Sequence, residues 1–176
     1  RQFSKIIDPL PHPRIAVLIG GSNSSYNMTA GNIRRIALDL VAINEQTGAG
    51  LMITTSRRTT KANSEVLRSA IKNIPNVFWD GTGENPYFAF LSSADAIIVT
   101  CDSVNMITEA ASSGKPLLIA ELDGQNRKLE AFHQSLYRQG IARPFKGYLE
   151  DWRYQPLNEP ERVAREALRR IEAAQK

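Results

Sequence analysis

The chain has a single cysteine, Cys101, and only two histidines, His12 and His133. One thiol excludes an internal disulfide and fits a reducing compartment. So few Cys and His side chains form no metal-ligand cluster of known spacing, and no metal site is expected. Long apolar runs are missing too: none approaches the roughly 18 residues of a membrane span, and no signal-peptide core opens the chain. These absences point to a cytoplasmic protein with no integral membrane segment, peripheral membrane association staying open. An excess of one charge is also lacking. The 22 basic and 18 acidic residues leave a net charge of +4, scattered rather than gathered into the stripe that nucleic acid requires. Nucleic acid is therefore not an expected partner. No Walker A loop, Gly-x-Gly-x-x-Gly fingerprint, Tyr-x-x-x-Lys pair, Ser-His-Asp order or Asp-x-Asp motif occurs, so the sequence displays no catalytic base and the catalytic residues stay unknown.

What is present is an ordinary globular composition, 42% hydrophobic and 23% charged over 176 residues, enough for one domain with a full core. The first residue is Arg1 rather than Met, which reads as part of a longer protein. Residues 1–12 carry Pro9 and Pro11 and read as a stiff, extended linker into a domain spanning 13–176. Strands are expected over 14–20, 51–55, 77–79, 94–100 and 117–120, the first from the continuous run Ile15-Ala16-Val17-Leu18-Ile19. Helices fall between them. Ile33, Ile36, Ala37, Leu40 and Val41 make one helical stripe. A helix over 104–113 stops at Gly114, and another over 126–139 stops at Gly140. Residues 141–157 read as irregular, and a last helix is expected over 158–173. Five strands alternating with helices imply an α/β, Rossmann-like, doubly wound parallel sheet. Ligands of such sheets bind at the carboxyl ends of the strands. The informative loops are therefore 20–29, 55–61, 79–86, 100–104 and 121–126.

The first loop, Gly20-Gly21-Ser22-Asn23, reads either as a phosphate cradle of backbone N–H groups and hydroxyls or as a tight polar turn. In the second, Arg57 and Arg58 offer planar forks for phosphate oxygens, or form a solvated basic turn. In the third, Phe78 and Trp79 precede a two-glycine turn and can flank a base or sugar, although Phe78 also suits the core. In the fourth, Ser103 can cap a helix and offer its hydroxyl and N–H to phosphate, with Asn105 beside it. Glu109 lies one and two-thirds turns further on, either as a surface carboxylate or as an acceptor for both ribose hydroxyls. Asp102 is equally suited to capping and to ligand contact. His133 falls on an apolar helix face with Leu129, Phe132, Leu136 and Tyr137 and reads as a packed histidine.

Loops one and four resemble the C-terminal domain of two-Rossmann (GT-B) glycosyltransferases, through the Gly-Gly-Ser loop and the segment Ser103 to Glu109-Ala110 and Gly114-Lys115-Pro116. A broader resemblance rests on Thr54-Thr55-Ser56-Arg57-Arg58-Thr59, Trp79 through Tyr87, Asp102 through Met106, Phe132-His133 and Arg143-Pro144-Phe145. It is to the mitochondrial-fission "elongated mitochondria" family, whose plant members are linked to mitochondrial division. Bacterial members are labelled nucleoside-diphosphate-sugar epimerases or glycosyltransferases. The resemblance implies that Gly21 and Ser22 contact phosphate, Phe78 and Trp79 flank the base, and Glu109 holds the ribose. It also implies an N-terminal partner domain, not in this chain, without which this half is inactive. Three readings follow. The first is the donor-binding half of a metal-independent glycosyltransferase, needing no cofactor and taking a nucleoside-diphosphate sugar, UDP-linked among the candidates. The second is a two-Rossmann sugar-nucleotide epimerase. The third is a non-catalytic adaptor that keeps the nucleotide fold.

Overall fold

The computed structural model describes residues 2–156; the helix expected over 158–173 lies outside the described residues. The lead-in segment is not extended throughout. It makes a helical turn, α1 (Ser4–Ile7), and buries Ile7 and Leu10 in the core. Apolar side chains on a short segment gain more from the nearby core than the prolines gain from an open path. His12 Nδ1 lies 2.6 Å from Asp95 Oδ2, and that carboxylate also accepts the Arg14 N–H at 2.7 Å.

The central strand β1 (Arg14–Ile19) is buried along almost its whole length, as its unbroken apolar run requires. Beside it on one side lie β3 (Gly50–Thr55) and then β4 (Asn76–Trp79). On the other side come β5 (Ala96–Thr100), β6 (Leu117–Ala120) and β8 (Ala142–Pro144). All five pairings are parallel, with Ile15 opposite both Leu51 and Ala96. The chain moves outward from β1 first one way and then the other, so strand order reverses between β1 and β5. That is the switch point of an open α/β sheet.

The sheet has six strands rather than five. The sixth, β8, reads Ala-Arg-Pro and lacks an apolar run; as an edge strand it tolerates Pro144, whose missing N–H faces no neighbour. A second feature without a sequence signal is a two-stranded antiparallel ribbon, β2 (Tyr26–Asn27) with β7 (Asp123–Gly124). It fastens the loop after β1 to the loop after β6. Residues 145–156 are irregular but packed. Trp152 donates its Nε1–H to Gly140 O, the Arg143 guanidinium stacks on Trp152, and Tyr154 donates to Ala111 O.

Helices are set by their ends. Helix α2 (Ala30–Thr47) opens on a reciprocal Thr29–Asn32 capping box and stops at Gly48, whose φ of 70° suits glycine. Helix α3 (Lys61–Ala70) is capped by Thr60, and α6 (Arg127–Arg138) by Asn126. Helix α4 (Tyr87–Ser93) follows Pro86, and α5 (Val104–Ala111) follows Ser103. Lys115 Nζ donates to Leu91 O and Ser92 O, closing the last turn of α4. On α2 the expected stripe points inward: Ile33, Ile36, Ala37 and Leu40 are buried, whereas Leu38 is 69% exposed. Leu40→Ala should lower unfolding free energy by about 2–5 kcal/mol, and Leu38→Ala by only about 0.5 kcal/mol. Urea unfolding of the two variants checks this; equal losses would contradict the packing.

Candidate functional site

The loops after β1, β3 and β5 meet at the switch point, and Asp102 joins them. Its Oδ2 accepts the Gly21 N–H at 3.1 Å and Arg58 Nη2 at 2.7 Å. Arg58 Nη1 donates to Gly21 O at 3.0 Å. Asn23 Nδ2 donates to the Asp102 carbonyl at 3.2 Å. Gly20 N–H goes to Thr100 Oγ1, and Thr59 donates to Gly20 O. Asp102 is thus neither a cap nor an open ligand; it is a clamp. This also explains the glycine pair. Neither Gly20 nor Gly21 has a positive φ. A Cβ on Gly20 would run into the Asp102 carboxylate, and one on Gly21 into the Arg58 carbonyl.

The Gly20 and Gly21 N–H groups, read as part of a phosphate cradle or of a tight polar turn, both have protein acceptors here. Ser22 is engaged as well, donating to Asn27 Oδ1 and accepting the Met28 N–H. Asn23 Oδ1 takes the N–H groups of Ser25 and Tyr26. The N-terminus of α2 is closed by another carboxylate. Asp123 accepts from Thr29 Oγ1 at 3.1 Å and from Asn32 Nδ2 at 3.0 Å, a favourable place for negative charge.

Helix α5 is different. Ser103 Oγ accepts the Met106 N–H at 3.4 Å, while Val104 and Asn105 keep N–H groups without an acceptor among the described residues. Asn105 is exposed. Glu109 stands about 9 Å further along the axis at 1.5 Å per residue. It is half-buried, and Tyr87 donates its hydroxyl to Glu109 Oε2 at 2.6 Å. Burial, and then that hydrogen bond, push the Tyr87 hydroxyl far above its usual range, so it stays a donor. Oε1 of Glu109 has no partner among the described residues. Tyr87 is the contributor that residue-type reasoning missed; only the Asn85-Pro86 helix start before it hinted that its place is fixed, Asn85 Oδ1 accepting the Tyr87 N–H.

The third loop holds itself. Trp79 Nε1–H donates to Thr82 O at 2.7 Å, and Asp80 Oδ1 accepts from Thr82 Oγ1 and N. Those Thr82 hydrogen bonds, and then the one from Arg68, hold the Asp80 carboxyl below its usual range. Arg68 also stacks on Phe78, 4.6 Å from the ring centroid, which covers one face of that ring. Arg57 and Arg58 are both exposed, but Arg57 carries no side-chain hydrogen bond or ion pair among the described residues, whereas Arg58 pairs with Asp102.

A cleft of about 270 Å³ opens beyond β6 and β8, lined by Arg35, Ile36, Asp39, Ala120, Glu121, Phe145 and Lys146. None of the expected site residues lines it. It carries two cations, Arg35 and Lys146, and two acids, Asp39 and Glu121, and Arg35 donates to Glu121 O. Among the described residues, no three His, Cys, Asp or Glu side chains gather into a metal site. No helix among them is long and apolar enough to cross a membrane.

The family description "Mitochondrial fission ELM1" matches residues 1–171. The chain belongs to the mitochondrial fission ELM1 family. It is 33% identical over 168 residues to the Arabidopsis thaliana "Mitochondrial fission protein ELM1", covering 93% of this chain and 39% of that protein. It is 36% identical over 160 residues to protein RP120 of Rickettsia prowazekii (strain Madrid E), covering 85% and 44%. This ELM1-family chain thus spans less than half the length of either relative. Among solved structures it is similar to Medicago truncatula UGT71G1 complexed with UDP-glucose. That likeness has a TM-score of 0.52 at 19% identity and covers 95% of this chain and 34% of that one. It shows the fold, an α/β Rossmann-like parallel sheet with flanking helices.

Behind the site, α6 places His133 in the core, with Nε2 buried and unpartnered. Burial pushes its imidazole down to about 4, against a smaller opposing effect of the Cys101 backbone. The folded histidine is neutral where the unfolded one, near 6.5, already takes a proton. Stability from this position is full above about pH 6.5 and is lost as pH falls through about 4. His133→Leu should remove on the order of 2–3 kcal/mol of that acid-side loss. Urea unfolding across the window checks it; parallel declines in both proteins would contradict it. The Cys101 thiol, likewise buried, is pushed up to about 11 and stays protonated.

Proposed function

We propose that this chain is the donor-binding half of a metal-independent glycosyltransferase-type protein and holds a nucleoside-diphosphate sugar along α5. The observation that carries the reading is the Ser103–Glu109 pair. A helix N-terminus with unaccepted N–H groups stands one and two-thirds turns from a half-buried carboxylate, one of whose oxygens is fixed by Tyr87. That spacing suits a diphosphate at one end and a ribose diol at the other. Ser103, Asn105 and the first turn of α5 take the phosphates, with the exposed Arg57 as a further cation. Glu109 Oε1 accepts the ribose hydroxyls. Trp79 flanks the base with its open side, and Phe78 supports it from beneath Arg68. Gly20, Gly21, Ser22, Asn23 and Arg58 form the wall opposite α5, shaped by the Asp102 clamp.

With diphosphate as leaving group, fixed N–H dipoles and one arginine stabilise the developing charge without a cofactor. The acceptor site and the base belong to the remainder of the longer protein in this reading. The neighbour complexed with UDP-glucose supports the ligand class through its fold alone. One observation favours a second reading, a non-catalytic adaptor: the first loop and the start of α2 are closed by protein carboxylates.

Calorimetric titration with UDP, GDP, CDP and their sugars separates the two. Binding of at least one nucleotide is expected. Glu109→Ala should then weaken it about tenfold or more, whereas Glu130→Ala, on the exposed face of α6, should leave it nearly unchanged. A folded chain that binds no nucleotide favours the adaptor, and equal effects of the two variants remove Glu109 from the ribose.

A further inference from the structure

Asp102 stands where an anion would. Its side chain is 0% exposed, and Oδ2 is met by a backbone N–H at 3.1 Å and by an arginine fork at 2.7 Å. A backbone N–H beside a guanidinium is the donor set that recognises phosphate oxygens. Here a protein carboxylate has taken it. Both glycines fit this arrangement because the space of their missing Cβ atoms is filled by that carboxylate and by the Arg58 carbonyl. Arg58, at 39% side-chain exposure, still has one side toward solvent.

We propose that Asp102 is a built-in anion that keeps Gly21 and Arg58 out of reach and so sets the anion affinity of this sheet edge. A phosphate can use those two donors only by displacing the carboxylate. Displacement is costly because a fully buried Asp102 would then be a buried charge without a partner. An approaching phosphate also meets a charge-neutral ion pair rather than a free fork. The edge therefore rejects bare phosphate and admits an anion only when other contacts hold it. This goes beyond the function proposed above and does not depend on which ligand the edge takes.

Asp102→Asn tests it, since the amide keeps an oxygen for the Gly21 N–H but removes the charge that holds the Arg58 guanidinium. The variant should bind inorganic pyrophosphate about tenfold or more tighter than the unaltered chain at low salt. The gain should shrink with ionic strength and vanish in Asp102→Asn combined with Arg58→Gln. A folded Asp102→Asn chain with unchanged or weaker pyrophosphate affinity overturns the proposal. If that variant does not fold, the unaltered chain decides. Its Arg58 Nε–H resonance should stay in place during pyrophosphate titration, and a shift as large as that of Arg57 overturns the proposal. A chain that binds no nucleotide, yet gains pyrophosphate binding on Asp102→Asn, would defeat the donor-domain reading and leave this one standing.

Discussion

A carboxylate buried at the end of a parallel strand must be neutralised, and Asp102 is neutralised by reaching across the switch point. It draws Gly21 from the loop after β1 and Arg58 from the loop after β3. Arg58 then returns to Gly21 O, and Asn23 returns to the Asp102 carbonyl. Three loops far apart in sequence become one surface because one charge requires partners from all of them. The close approach also sets the local sequence, since side chains at positions 20 and 21 would displace the clamp. What stays open on the same edge is the start of α5, and the ligand reading rests there.

The frame of the fold was legible because its signals are local. The run Ile15–Ile19, the 3.6-residue stripe from Ile33 to Leu40, and Gly114 and Gly140 after their helices each follow from neighbours in the chain. The elements that escaped depend on distant partners. β8 is three residues without an apolar run and is a strand only because β6 lies beside it. The β2–β7 ribbon pairs Tyr26 with Gly124, and neither segment shows a strand pattern alone. The lead-in segment looked extended because of its prolines, while the burial of Ile7 and Leu10 is decided by the core they meet.

The site was legible in outline and not in assignment. The sequence placed Gly20 to Asn23, Arg57, Arg58, Ser103 and Glu109 at one sheet edge, which needs only strand order. It could not say which donors were already engaged. Arg57 and Arg58 are adjacent, chemically identical and both exposed, yet only Arg58 pairs with a buried carboxylate among the described residues. Likewise Glu109 read as either surface or ligand, and only the Tyr87 hydroxyl separates a positioned carboxylate from a solvated one. The chain belongs to the ELM1 family, and its likeness to UGT71G1 agrees with the fold. They leave the partition of donors to be read from the geometry.

The central claim is that the ligand edge is α5, from Ser103 to Glu109, with the glycine loop as its wall. A crystal structure of the chain grown with UDP tests this most directly. The account predicts the diphosphate at the N–H groups of Val104 and Asn105 and the ribose diol on Glu109, with Arg58 still paired to Asp102. A diphosphate seated across Gly20–Ser22 with Arg58 turned away from Asp102, or UDP in the cleft between Asp39 and Lys146, would contradict it.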